Sequence, residues 1–289
     1  MSESPAFDDT ASDGLTPDGP VRLIVKGDDM GAGHGVNVAT IDAYRNGVLT
    51  TTNVIVPGPW FLEAVELLDA NPGLDVGVHL ALTSEWSRIR WRPITRAASF
   101  VDADGFFPST VHEGRPGFPP GSSLAERPWV LDDIEAELRA QLDIASRHLP
   151  QATYTWAHVG FDMVHPSVHE LVRVLTAEYG LVDPADMGIQ RTGNPYEGSD
   201  SGEVKAEKLA ARFAELEPGL WLHIDHAATD TSEMQAYGHT GYENVAADRS
   251  ANAAAWTSPR VRAAIEHRGI RLTNYRDLTA ADRPIPSPA

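Results

Sequence analysis

The chain has 289 residues, 42% of them hydrophobic, no cysteine and a formal net charge of −18. That length suits one α/β domain or two small ones with a sizeable core, and the acidity argues against nucleic acid or an anionic membrane as partner. The lack of cysteine excludes disulfides and thiolate zinc sites and suits a cytoplasmic location, while no apolar run approaches the ~18 residues of a membrane-spanning helix.

Residues 1–20 are acidic and rich in Ser, Pro and Gly, without the basic and apolar regions of a signal peptide; a disordered tail is expected there. Val21–Lys26 reads as a buried strand that ends in Gly27 and two adjacent carboxylates, Asp28 and Asp29. A helix is predicted over Val36–Arg45, stopped by Asn46-Gly47, then a β-branched strand over Val48–Val56, a helix over Pro59–Ala70 and a strand over Leu74–Leu82. This βαβαβ rhythm implies parallel strands.

Residues 83–130 break the rhythm with six prolines, four glycines and three tryptophans. An excursion this long is expected to be functional or lid-like. Its Trp86 and Trp91 suit either a local mini-core or a platform for a sugar ring. The pattern resumes with a helix over Leu131–His148 and a strand over Thr153–His158. A helix opened by Pro166 follows and is stopped by Gly180. A short strand at Gly188–Arg191, a loop at Thr192–Gly202, a helix over Glu203–Leu216 and a strand over Leu220–Asp225 come next. Ser258-Pro259 starts a late helix, Ile270–Tyr275 is the last expected strand, and residues 280–289 form a Pro-rich loose tail. Between the tails, residues 21–279 are expected to form one domain of about seven strands, with no internal repeat.

Like charges side by side at a strand end need compensation, and in parallel sheets ligands sit at the carboxyl ends of the strands. Three more strands carry histidine: His79 within an apolar strand, His158 at a strand end before Gly160, and His223 with Asp225 and His226. Buried imidazole needs a partner. One Asp and two His from three strands would supply three ligands of a divalent cation and leave positions for water and substrate, the layout of a catalytic site. A second carboxylate can then serve as general base and a further His as general acid.

These residues lie in segments that resemble the YdjC/ChbG-type carbohydrate deacetylase family (ChbG/HpnK). Val25-Lys-Gly-Asp-Asp-Met-Gly31 is similar to its strand-Asp-Asp-Phe-Gly signature. Gly35-Val-Asn37 and Asn46-Gly-Val-Leu-Thr-Thr-Thr52 match the segments that follow, and the stretch from Asn71 to Thr83 matches the second motif closely. Asn244–Arg249, Ser258-Pro259 and Gly269-Ile270 resemble the C-terminal part. The resemblance implies an irregular (β/α) barrel of about seven strands, polysaccharide-deacetylase-like. It also implies a metal on Asp29, His79 and His158, with Asp28 as base. The acid is an imidazole of the late strand, His226 or His223, and Arg249 orients Asp28 or contacts substrate. The implied reaction removes an acetyl group from an N-acetylated sugar or chitooligosaccharide. The implied cofactor is one divalent ion, zinc or magnesium, with manganese, cobalt or nickel as alternatives. Oligomeric state stays open, a homodimer included.

There are departures. The family's Thr-His-x-Asp-Ser-His is here Thr153-Tyr-Thr-Trp-Ala-His158, so Tyr154 and Trp156 replace a His and an Asp; the family's His-Pro-Gly turn is His226-Ala-Ala228. They fall near the expected substrate face and bear on substrate identity, with Tyr154, His223, Trp86 and Trp91 as candidate contacts. They also admit a rival, a metal- or sugar-binding protein without activity. A glycosidase is disfavoured, because adjacent Asp28 and Asp29 cannot easily straddle a glycosidic bond with carboxyl groups ~5–9 Å apart.

Overall fold

A computed structural model describes residues 19–96 and 99–281; the expected N-terminal tail lies outside the described residues except for its last two positions, and the C-terminal tail except for its first two. The strands are β1 (Val21–Met30), β2 (Thr51–Val54), β3 (Asp75–Leu80), β4 (Tyr154–Ala157), β5 (Gln190–Arg191), β6 (Gly219–Asp225) and β7 (Arg271–Leu272). The helices are α1 (His34–Asn46), α2 (Phe61–Asp69), α3 (Leu131–His148), α4 (Pro166–Glu178), α5 (Gly202–Ala214), α6 (Val245–Trp256), α7 (Pro259–Arg268) and α8 (Tyr275–Ala281).

All strand pairings are parallel, in the order β4-β3-β2-β1-β6-β5. Along one edge β1 pairs with β6; its other edge is shared by β7 at Arg22–Leu23 and β2 from Lys26 onward. The sheet curls on itself. Lys26 of the central strand β1 places its Nζ 3.9 Å from the centre of the Trp156 ring on β4, and the Arg191 guanidinium of β5 lies 5.0 Å from the same ring. Side chains of the two end strands therefore meet across the interior, and Val182, from the segment after α4, bridges to Tyr154 of β4. The irregular barrel of about seven strands is what forms.

Two cores follow from strand alternation. Leu23, Val25, Val54, Val76 and Val78 face the helices and join the large outer core. Ile24, Leu220, Leu222, Tyr154 and Tyr275 fill the barrel, each large apolar side chain worth about 1.5–3 kcal/mol of burial. Gly77 on β3 has no Cβ because the Tyr154 ring occupies that space, 2.4 Å from where one would sit. Below that ring, at the strand N-termini, the buried Asp75 carboxylate accepts from the Thr51 and Thr153 hydroxyls and from the Tyr275 N–H. This clasp ties β2, β3, β4 and α8 at the end opposite the chemistry.

The helix starts expected at Pro166 and at Ser258-Pro259 form, whereas α3 opens after Val130 with no side-chain cap. Pro166 and Pro259 occupy first turns, Ser258 caps α7, and Gly269 closes it at φ 69°. Helix α1 has no cap of its own; Glu233, from the loop after β6, accepts from the His34 and Gly35 N–H groups. The structure differs from expectation at two places. Helix α6 was not expected. The last strand stops at Leu272, because Tyr275 instead starts α8 with its ring 4.3 Å from that of Tyr154. The described residues of the excursion 83–130 have little regular structure, and Trp86, Trp91, Phe100, Phe107 and Leu124 pack it onto the outer core.

Candidate active site and metal centre

Alternation along β1 should send Asp28 and Asp29 to opposite faces of the sheet. It does not, because Asp29 takes φ 72° and the pairing with β2 loses register between Gly27 and Met30. Left-handed backbone is strained for a residue with a side chain, and such strain concentrates at functional sites. Here it turns both carboxylates toward the mouth of the barrel. The Asn53 side chain accepts from the Asp29 N–H at 3.3 Å and helps hold the turn.

The inward faces of β3 and β4 complete the cluster. Asp29 Oδ1 lies 3.4 Å from His79 Nε2 and 3.3 Å from His158 Nδ1, and those two nitrogens are 3.2 Å apart. The three side chains are buried, and each offers a ligand atom within 4.8 Å of the others. Each imidazole has its second nitrogen engaged. His79 Nδ1 donates to the Trp156 carbonyl at 3.0 Å, and His158 Nε2 donates to Glu85 Oε2 at 3.0 Å. Those tautomers leave two bare ring nitrogens facing one another and a carboxylate oxygen, Asp29 Oδ1, that has no hydrogen-bond partner despite its burial. A cation among them satisfies all three, and outer-shell acceptors on both histidines are the usual accompaniment of metal ligation. The donor set fits a metal ion. With only protons available, burial opposes charge on His158, but Glu85 and Asp29 pull it up to about 10. Metal uptake thus competes with a proton.

Around this centre stand Asp28, His226 and Arg249. The Lys26 ammonium pairs with Asp28 Oδ1, while Oδ2 lies 3.9 Å from His79 Nε2. Burial would raise the Asp28 carboxyl, but Lys26, His79 and His226 hold it below the usual carboxylate range. Arg249, buried on α6, donates to Asp29 Oδ2 at 3.0 Å, so it holds Asp29 and not Asp28. His226 sits just past β6 with Nε2 3.5 Å from Asp29 Oδ2 and Nδ1 3.5 Å from Asp225 Oδ1. Asp225 accepts from Tyr196, Asn194 and the His226 N–H and falls to about 2 despite its burial. A cavity of about 310 Å³ opens over these groups, walled also by Trp156, Val159, Arg115, His239 and Tyr242. Val159 and Gly160, just past His158, are both left-handed, at φ 54° and 67°.

Other candidates lie elsewhere. His223 points to the outer face of the sheet, wholly buried between Phe213 and Trp256 and bonded to Thr192; burial pushes it down to about 4. It does not face the cavity, and the late-strand imidazole at the site is His226. Tyr154 is not at the substrate face, since its hydroxyl donates to the Thr52 carbonyl inside the barrel. Trp86 and Trp91 are 2% and 3% exposed; Trp86 reaches the cavity wall with little of its ring, and Trp91 is not part of that wall. They brace the site, Trp86 5.0 Å beneath the Arg249 guanidinium and Trp91 5.4 Å from the His158 ring.

Two residues escaped the sequence reading. Lys26 was visible as a charge within the apolar run after Arg22, on the same alternating face as Asp28. Glu85 carried no local signal, because its role depends on how the excursion folds back over His158.

The family described as YdjC-like protein matches residues 22–267. A carbohydrate deacetylase of Thermus thermophilus is 30% identical over 235 residues, covering 74% of this chain and 80% of its own. A chitooligosaccharide deacetylase of Klebsiella pneumoniae is 28% identical over 278 residues, covering 89% and 98%. The solved structure of an Enterococcus faecalis protein, described as a proposed cellobiose-phosphate cleavage protein, shares the fold at a TM-score of 0.70 and 24% identity, over 90% of this chain and 99% of that one. With the match spanning most of its length, this chain belongs to the YdjC-like family.

Proposed function

We propose that this protein is a metal-dependent hydrolase that removes the acetyl group from an N-acetylated sugar or oligosaccharide. The observation that carries this is the convergence of two bare imidazole nitrogens and an unpartnered Asp29 oxygen beside a free face of Asp28 and the His226 imidazole. The printed activities of the deacetylase relatives supply the substrate class.

Asp29, His79 and His158 would hold the cation. Two imidazoles and one carboxylate suit zinc, cobalt, nickel or manganese better than magnesium. When bound, such an ion supplies Lewis acidity toward the acetamide carbonyl and toward water. Asp28 Oδ2 takes a proton from the attacking water as its oxygen joins the carbonyl carbon. His226 Nε2 gives a proton to the amide nitrogen as the C–N bond breaks, since an unprotonated amine is a poor leaving group. Acetate and the free amino sugar result. Arg249 and Asp225 keep Asp29 and His226 in place.

The departures at Tyr154 and Trp156 remove no group that this chemistry needs, which speaks against an inactive binding protein. The test is to incubate the purified chain and a divalent metal with N-acetylglucosamine and its β-linked oligomers. Equal yields of acetate and new primary amine support the reading. New reducing ends without acetate point to a glycosidase, and no product from any sugar points to a binding protein.

A further inference from the structure

We propose that Lys26 is a positioning residue for the deacetylation reaction, tethering one oxygen of Asp28 so that the other faces the metal centre. This rests on the reading of Asp28 as general base.

Lys26 is wholly buried on the inner face of β1, two residues before Asp28 and on the same side of the strand. Among the described residues its ion pair is with Asp28 Oδ1. Around it stand two rings, with Nζ 3.9 Å from the centre of Trp156 and 5.9 Å from that of Tyr154, and the Arg191 guanidinium faces the same Trp156 ring and opposes the Lys26 charge. Among the described residues no second carboxylate lies within ion-pair distance of the ammonium. Rotation of Asp28 away from Lys26 would strand two buried charges, so the carboxylate is confined to one orientation. In that orientation Oδ2 is the atom turned toward His79 Nε2, at 3.9 Å.

Stability does not account for such a pair. A buried ion pair is commonly matched or bettered by apolar side chains of similar volume, and Ile24, Leu220 and Leu222 fill their share of the barrel interior that way. A charge kept at this depth directly beneath the base is explained by what it does to the base. Burial pushes the Lys26 ammonium down to about 8, so the carboxylate helps to keep it charged as much as it holds the carboxylate still.

The experiment is a double-mutant cycle in the full chain loaded with zinc, with N,N′-diacetylchitobiose as substrate. Lys26→Met is expected to lower kcat about 10- to 100-fold, as for a misplaced catalytic group. KM and zinc content should stay near the wild-type values. In the Asp28→Asn background the same change should leave kcat unaltered, because its target is gone. An equal loss of kcat in both backgrounds, or a loss seen in KM alone, would overturn the proposal. Should Lys26→Met fail to fold with its buried carboxylate unpaired, Asp28→Asn is compared with Lys26→Met/Asp28→Asn, in which no buried charge is stranded. Equal kcat in those two supports the tether, and a further drop in the double variant overturns it. A wild-type chain that releases no acetate removes the deacetylase reading itself, and loss of activity that does not depend on Asp28 removes only the tether.

Discussion

Glu85 makes the sharpest demand on the proposed metal centre. It touches no ligand atom of the cluster, yet its carboxylate accepts the Nε2 proton of His158 at 3.0 Å and so sets which nitrogen of that ring is bare. Glu85→Ala leaves a buried N–H without an acceptor, a penalty of about 1–3 kcal/mol, and lets the imidazole turn or exchange tautomer. Loss of such an outer-shell partner typically weakens metal binding about 10- to 100-fold, or about 1.4–2.8 kcal/mol, which agrees with the penalty reached from the hydrogen bond. Glu85→Gln retains an acceptor oxygen and loses only the charge, so it should fall between Ala and the wild type. The assay is zinc competition between the apoprotein and a chromogenic chelator at fixed pH, with thermal unfolding of each variant to show that the fold persists. Wild-type zinc affinity in Glu85→Ala, or weaker binding by Gln than by Ala, would refute the assignment of His158 as a ligand held by Glu85.

Three further outcomes are expected. Asp28→Asn should keep its metal and lose turnover by about 10²–10⁴-fold; loss of metal with full activity on reloading would exchange the roles of the two aspartates. His223 has a depressed pKa, from 6.5 down to about 4. Its contribution to stability is therefore complete above pH 6.5 and lost as pH falls toward 4, on the order of 3 kcal/mol in all. Unfolding measured across that window should show a shallower acid loss in His223→Gln with turnover near wild type, whereas a collapse of turnover would return His223 to the site. Trp91→Ala should cost about 3–5 kcal/mol as a buried aromatic truncation and weaken zinc binding through His158; a stable variant with only a raised KM would make Trp91 a substrate contact after all.

The Asp29, His79 and His158 cluster was legible from strand ends because its residues are unusual where they stand: a carboxylate pair after an apolar run, and histidines at the carboxyl ends of two largely apolar strands. The barrel was legible because β-branched runs alternate with helical stretches. What pattern alone could not give is the left-handed turn at Asp29, since alternation argues for the opposite placement of its side chain. Helix α6 is rich in alanine, with Asp248, Arg249, Ser250 and Asn252 spread among the alanines, and so carried no clear amphipathic stripe. Trp86 and Trp91 looked available because the excursion lacks periodicity, but its aromatic residues fold inward onto the outer core. His223 and His226 stand three residues apart, yet one ends in the helical layer and the other over the cavity, a difference decided by where β6 ends.

The central claim is that Asp29, His79 and His158 hold one catalytic divalent ion. Its most direct test is a titration of the metal-stripped chain with zinc, following acetate release from N,N′-diacetylchitobiose in the wild type and in His79→Ala. The account predicts no release before metal is added, a rise that saturates at one ion per chain, and neither binding nor rise in the variant. Undiminished acetate release from the stripped protein, or full zinc occupancy and turnover in His79→Ala, would contradict it.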